Sequence, residues 1–498
     1  MTSARKVIPK ACDACRRRKV RCNGQQPCSG CTSANLTCTY VSPRGQGGNR
    51  GARATVLNEL RANQAQQATS NSPASSDSTD SPSINIHAAE PSFVQGCIDA
   101  YLCRIRSVVP ILTSQALETE VQLAKTSAQS LQFVLAFCAY VANFGNVLEE
   151  TQPGHRSGSL VEYGRQCLTN ALRAQAVRNS DPTPRSMFVS FFLYGAHAGL
   201  GDYQQGWFYL REATTLFTML KKDAVSWYDE RTHGSVFWIL LISERSHGLR
   251  RSRPITLQIT SSSPTLSSIQ ASSLQVLASV FQPLDESFFS VWNGSTKDCS
   301  KEWLLELERA VRTALPLNLD ASTEEVANLR VSQFWVRIKL WELFPRFGFL
   351  STESVFECLT FRYPIVVAKD LSILAIKLPI ASLQVHGVGM TEKVFDIACA
   401  VADVLPFIDV STSQVELGPV DYLTQVVSVL AKLPGGSAKF VPLLLAKINE
   451  LRPELVHTLS TATQLPLTAF NNPMSPATQF LYEEEVSRGL YADLRRAL

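Results

Sequence analysis

Six cysteines within 27 residues constrain this 498-residue chain more than any other feature. They are Cys12, Cys15, Cys22, Cys28, Cys31 and Cys38, and the spacing Cys-x2-Cys-x6-Cys occurs twice, separated by five residues. Zinc takes four thiolate or imidazole ligands in a tetrahedron, and a Cys-x2-Cys pair lets both sulfurs reach one ion across a tight turn. Six thiolates hold one zinc with two ligands idle, or two zincs if two thiolates bridge. The repeated spacing favours two similar half-sites that share ligands. Residues 1–86 contain no histidine, which excludes mixed Cys/His fingers there. The start MTSARKVIPKACDAC lacks the apolar core of a secretory signal, so the expected compartment is intracellular and reducing, which argues for metal over disulfides. Residues 1–40 carry few large apolar side chains, namely Val7, Ile8, Val20, Leu36 and Tyr40. Such a segment builds no core of its own, whereas structural zinc supplies about 10–16 kcal/mol per site in zinc-finger peptides.

The charge distribution points to a nucleic-acid partner. Residues 1–55 hold eleven Lys and Arg against one acid, Asp13, while the whole chain is only +4. The remainder is therefore mildly acidic. Arg16, Arg17, Arg18, Lys19 and Arg21 lie between the second and third cysteines. Each phosphate that such a side chain neutralises releases counterions, and Arg and Lys also recognise guanine N7 and O6 in the major groove. As a lone hexamer, RRRKVR would serve equally well as a nuclear-import signal; inside a cysteine frame it reads as a recognition helix.

Residues 12–38, CDACRRRKVRCNGQQPCSGCTSANLTC, resemble the DNA-binding domain of the fungal zinc binuclear cluster transcription factors. The resemblance covers all six cysteines, the basic run and Pro27 before Cys28. It implies two Zn2+, with Cys12 and Cys28 as bridging thiolates, Cys15 and Cys22 completing one site and Cys31 and Cys38 the other. It also implies that Lys19 contacts a CGG triplet with help from Arg18, and that Arg16, Arg17 and Arg21 hold phosphates. Family members often dimerise through a coiled coil after a linker.

Residues 41–92 are read as that linker. SPRGQGGNRGAR is Gly/Arg-rich, and Thr69–Ser83 has seven serines and no aromatic residue, a composition expected to be disordered. Between them, residues 55–67 form a short coiled-coil candidate that leaves dimerisation open. From Phe93 onward, apolar residues recur at helical spacing and prolines fall mostly between the segments. Helices are expected over Phe93–Val108, Leu131–Asn143, Leu160–Ala176, Gln204–Lys221, Arg231–Arg250, Lys301–Ala314, Val326–Leu343, Lys393–Leu405 and Tyr422–Leu433. The expected architecture is a small zinc-stapled DNA-binding module (1–40), a disordered linker (41–92) and a large all-α regulatory domain (93–498).

The body also resembles that family's regulatory middle domain, in FVQGCIDAYLCRIRSVVPIL (93–112), GWFYLREATTLFTML (206–220), residues 230–257 and residues 277–294. These patterns are similar to regulators of secondary-metabolite gene clusters or of carbon-source use. Trp207, Leu210, Ala213, Thr214 and Phe217 should be core. Glu244 with Arg245, and the run Arg250, Arg251 and Arg253, read as charge pairs or a solvated helix end. Cys97 and Cys103, six apart, raise a redox pair, although buried apolar thiols are the default. No catalytic motif occurs, so no enzyme activity is expected. The expected function is sequence-specific DNA binding in the nucleus as a pathway-specific activator of polymerase II genes, working with the transcription machinery and without a membrane. A small-molecule effector inside the body and an activation role for FLYEEEVSRGLYADLRRAL (480–498) are further expectations. The competing reading is a zinc-bound scaffold that never reads DNA.

Overall fold

The computed structural model describes residues 11–18, 20–34, 36–40, 89–144, 148, 157–175, 182–220, 225–269, 271–408, 417–463 and 493–495. The expected linker up to residue 88, the coiled-coil candidate, Lys19 and most of the C-terminal segment lie outside them. The chain divides into two compact units, Met1–Ser83 and Ile84–Leu498.

The larger unit is all-helical among its described residues. Its helix starts follow local chemistry. Ser322 accepts from the Glu325 amide while the Glu325 carboxylate accepts from the Ser322 amide, closing a capping box at the head of Thr323–Trp341. Thr183 with Ser186 does the same for Pro184–Leu200, and Thr113, Ser127, Asp202, Asp229, Asp285 and Ser300 cap six further helices. Each cap satisfies an amide that the helix itself cannot, worth about 1 kcal/mol.

Around Ala128–Ala142 pack Ser157–Gln175 and Pro184–Leu200, with Tyr203–Met219 against the latter. Their shared centre is aromatic: Phe133, Phe137, Phe188 and Phe192 are fully buried, with centroids of neighbouring rings 5.5–6.0 Å apart. In the second half, Thr323–Trp341 and Gly387–Val404 pack against Tyr363–Lys377, Pro419–Lys432 and Val441–Leu451, and bury Trp335 and Trp341. One continuous apolar core joins the two halves. Leu210, Ala213, Thr214 and Phe217 are buried as expected, whereas Trp207 is half-buried and stacks on His247 at 4.8 Å. Gly436 opens a short π-turn, Gly436–Phe440, because a Cβ there would sit 1.8 Å from the Leu430 carbonyl oxygen. No single described helix is long and apolar enough to cross a membrane. One bent pair, Pro419–Lys432 with Gly436–Leu451, passes on length and composition, but it folds at 120° and buries its Leu and Val side chains in the core.

Three expectations change here. Cys97 is buried and Cys103 is exposed on a π-turn, so they form no pair. Glu244 pairs with Arg211 at 3.1 Å, while Arg245 donates to the Phe281 carbonyl. The helix does end at Ser252, in a left-handed conformation, but Arg250 and Arg251 turn inward to acids on Gly387–Val404.

Two histidines make this unit acid-sensitive. Burial pushes His247 down to about 3, helped by Arg251, Arg250 and Arg253, and burial pushes His386 down to about 4. In the unfolded chain both protonate near pH 6.5. Between those limits the unfolded state binds more protons, so stability falls as pH drops. The full chain should lose up to about 1.4 kcal/mol per pH unit for each histidine between pH 6.5 and 4.5. A urea midpoint that stays flat over that range would refute this.

Candidate zinc centre and nucleic-acid interface

The smaller unit is built from two copies of one turn. Helix α1, Asp13–Arg18, begins after Cys12, and helix α2, Ser29–Thr32, begins after Cys28. In both, the leading cysteine acts as the cap. Cys12 Sγ accepts from the Cys15 amide at 3.5 Å, and Cys28 Sγ accepts from the Cys31 amide at 3.3 Å. The correspondence continues sixteen residues apart. The Val20 amide donates to the Cys15 carbonyl at 3.1 Å, and the Leu36 amide to the Cys31 carbonyl at 3.0 Å. The doubled sequence spacing is thus a doubled backbone structure.

These turns bring Cys12, Cys15, Cys28 and Cys31 together, all buried, with their sulfurs within 4.8 Å of one another. Cys12 Sγ lies 3.7 Å from Cys28 and 3.6 Å from Cys31, and Cys15 Sγ lies 3.4 Å from Cys28. Zn–S bonds of about 2.3 Å at tetrahedral angles place sulfurs about 3.8 Å apart. The spacing therefore suits thiolates around zinc, and it is far too long for S–S bonds of about 2.05 Å. Cys38 is buried at the edge of the group, accepting from the Cys28 amide at 3.4 Å. Half-buried Cys22 accepts from the Gly24 amide at 3.4 Å and touches the Tyr40 hydroxyl.

Protons alone serve this group poorly. Burial pushes the Cys31 thiol up to about 12. At Cys28 burial also acts upward, but hydrogen bonds from the Cys15 thiol and the Cys31 amide draw it down to about 6. Clustered buried thiolates need a cation, and the donor set of soft sulfur selects zinc over hard cations. Among the described residues, the core of this unit apart from cysteines contains only Ala14, Ala34 and Leu36, edged by Val20 and Tyr40.

The basic residues divide by role. Arg16 is exposed on α1 and pairs with Asp13 at 3.3 Å. Arg17 lies on α1, and Arg21 is exposed just beyond it. Arg18 does something the sequence did not signal: its guanidinium donates to the Gly30 carbonyl at 3.1 Å, tying α1 to α2. A second closure joins the ends of the module, with the Asp13 amide donating to the Thr39 carbonyl at 2.8 Å and the Thr39 hydroxyl donating to the Asp13 carboxylate at 3.0 Å.

Residues 10–47 match the profile described as the fungal Zn(2)-Cys(6) binuclear cluster domain. The module is a zinc binuclear cluster. It binds two zinc ions. Similarity to known proteins extends beyond the module. The maltose fermentation regulatory protein MAL13 of Saccharomyces cerevisiae is 22% identical over 81% of this chain and 86% of its own length. The probable sucrose utilization protein SUC1 of Candida albicans is 22% identical over 79% of this chain and 78% of its own length. By contrast, the transcription factor PDR1 of Candida glabrata is 46% identical over 43 residues, 9% of this chain. No solved structure matches the chain. The chain is thus a DNA-binding transcription regulator and not an enzyme.

Proposed function

We propose that this regulator reads a CGG-type triplet with Lys19 and activates genes of carbon-source use, those for disaccharides above all. The observation that carries the readout is the pair of cysteine-capped turns, which starts α1 at a sulfur cluster and leaves Arg16 and Arg21 exposed. Cys12 and Cys28 are the bridging thiolates, Cys15 and Cys22 complete one zinc site, and Cys31 and Cys38 complete the other. The 3.7 Å separation of Cys12 and Cys28, with the sulfurs of Cys15 and Cys31 within 4.8 Å of both, supports that sharing. Arg16, Arg17 and Arg21 hold phosphates. Arg18 assists indirectly, by fixing α1 against α2 through Gly30. Similarity to maltose and sucrose regulators over 81% and 79% of the chain favours carbon-source genes over a secondary-metabolite cluster. The protein acts in the nucleus, as a homodimer whose half-site spacing is set by residues 41–67, and hands the signal to the transcription machinery; its helical unit answers a small-molecule effector.

The test is a titration of the zinc-loaded full chain against CGG-containing and scrambled duplexes at several salt concentrations. Lys19→Ala should cost about 1–3 kcal/mol on the CGG duplex and little on the scrambled one. Arg16→Ala should weaken both alike and flatten the salt slope by about one. Unchanged affinity and base preference in Lys19→Ala would remove base readout by this helix and leave the scaffold reading.

A further inference from the structure

One helix of the large unit keeps apolar side chains on its solvent face. The helix Tyr363–Lys377 turns Ile365, Val367, Ala368, Leu371 and Ser372 inward, where it packs against Thr323–Trp341, Gly387–Val404 and Pro419–Lys432. At about 100° per residue, the opposite face carries Val366, Lys369, Asp370, Ile373, Ile376 and Lys377. Ile373 is 42% exposed and Ile376 is 78% exposed. Lys369 and Lys377 are exposed, and Val366 is half-buried. The Asp370 carboxylate lies 3.4 Å from Arg337, yet 40% of its side chain stays in solvent. Single apolar side chains are normal on a protein surface. These two lie one turn apart, and the apolar run continues past the helix end through half-buried Leu378 and Ile380.

The charges on this face have a spacing of their own. Asp370 and Lys377 lie seven residues apart along one edge, two turns of helix, with Ile373 between them. Lys369 and Ile376 are likewise seven apart along the other edge. Suppose the face meets a copy of itself with the helix direction reversed. A two-fold axis then sets each edge against the same edge of the copy. Ile373 meets Ile373. Asp370 meets Lys377 of the copy and Lys377 meets its Asp370, so one edge closes with two ion pairs. On the other edge the aliphatic stem of Lys369 covers Ile376 of the copy and leaves its ammonium in water. A parallel pairing sets Asp370 against Lys369 instead, and it aligns the two helix dipoles where the antiparallel one opposes them.

We propose that this face is a self-association surface, on which the helical unit pairs with a second copy through antiparallel Tyr363–Lys377 helices. Ile373 and Ile376 form its apolar centre, and Asp370 pairs with Lys377 of the copy. The proposal rests on the homodimer reading above for its role, but not on residues 41–67. Two helix faces of this length bury less than the roughly 1,000 Å² of a stable dimer. The association is therefore weak and reversible in free solution, and it tightens when two chains are held side by side on DNA, through their effective concentration.

The test is sedimentation of the zinc-loaded full chain, with and without residues 55–67, over a wide range of concentration. The chain lacking 55–67 should still form a reversible dimer. Ile373→Asp should weaken that dimer about tenfold or more, because it removes two isoleucines from the centre and sets two carboxylates against each other. Lys377→Glu, at an exposed position that leaves folding intact, sets glutamate against Asp370 twice. It should weaken the dimer about two- to tenfold at low salt and less at high salt. Lys369→Glu should change it less. Thermal unfolding checks that each variant is folded. A chain lacking 55–67 that stays monomeric up to its solubility overturns the proposal and leaves dimerisation to the linker, if the intact chain dimerises. Either Ile373→Asp or Lys377→Glu associating like the parent chain while folded also overturns it. So does Lys369→Glu weakening the dimer more than Lys377→Glu.

Discussion

Chelating zinc from the full chain should release two metal ions together, unfold residues 12–38, and lower CGG-site affinity by about 10³-fold or more, to the non-specific level. The expected size follows from what else holds the module. Among the described residues, its buried apolar set outside the cysteines is Ala14, Ala34 and Leu36. Burying a leucine contributes about 1.5–3 kcal/mol, whereas structural zinc contributes about 10–16 kcal/mol per site in zinc-finger peptides. Metal and fold must therefore be lost together. Unit 84–498 has its own core and should keep its thermal transition under the same treatment.

Single cysteine replacements refine this result. If Cys12 and Cys28 are shared, Cys28→Ser should empty both sites, whereas Cys38→Ser should leave one zinc more firmly held than the other. Metal analysis and thiol titration read the outcome directly. One zinc with two titratable thiols in the wild-type module would mean a single four-cysteine site at Cys12, Cys15, Cys28 and Cys31, and the bridging assignment would fall.

The zinc module was legible in the sequence because its determinants are local. Sulfur ligands a fixed few residues apart leave the chain few ways to run, and the cysteine caps at Cys12 and Cys28 are the structural form of that spacing. The bond from Arg18 to Gly30 was not legible, since an arginine in a basic run looks alike whether it faces DNA or a carbonyl twelve residues away. In the body, helices with one polar face, such as Lys301–Thr313, were recognisable. Pro184–Leu200 was missed because it is apolar around most of its circumference and has no polar face to set a period. The inward turn of Arg250 has a similar cause: its partner Asp396 lies 146 residues ahead, and nothing local announces it.

That partnership gives the largest expected stability effect in the helical unit. Asp396 Oδ2 accepts from the Trp335 indole at 2.7 Å and from Arg250 at 3.2 Å, and it pairs with Lys339 at 3.4 Å. The carboxylate is fully buried, and so is Lys339. Asp396→Ala strands an indole N–H and strips a shared carboxylate from two cations. Removing one partner from a buried ionic network costs about 3–5 kcal/mol, because the remaining charge stays desolvated. Glu454→Ala provides the contrast. Its ion pair with Arg452, at 3.1 Å, is partly solvent-exposed on both sides, and such pairs are worth about 0–1 kcal/mol. Urea titration of the two variants should separate them clearly. If Asp396→Ala shifted the midpoint no more than Glu454→Ala, the buried network would not be holding these helices together. The zinc module has a separate core, so Asp396→Ala should still bind a CGG duplex in vitro while failing to activate transcription. A variant that lost both together would show that the helical unit contributes to the DNA-binding step itself.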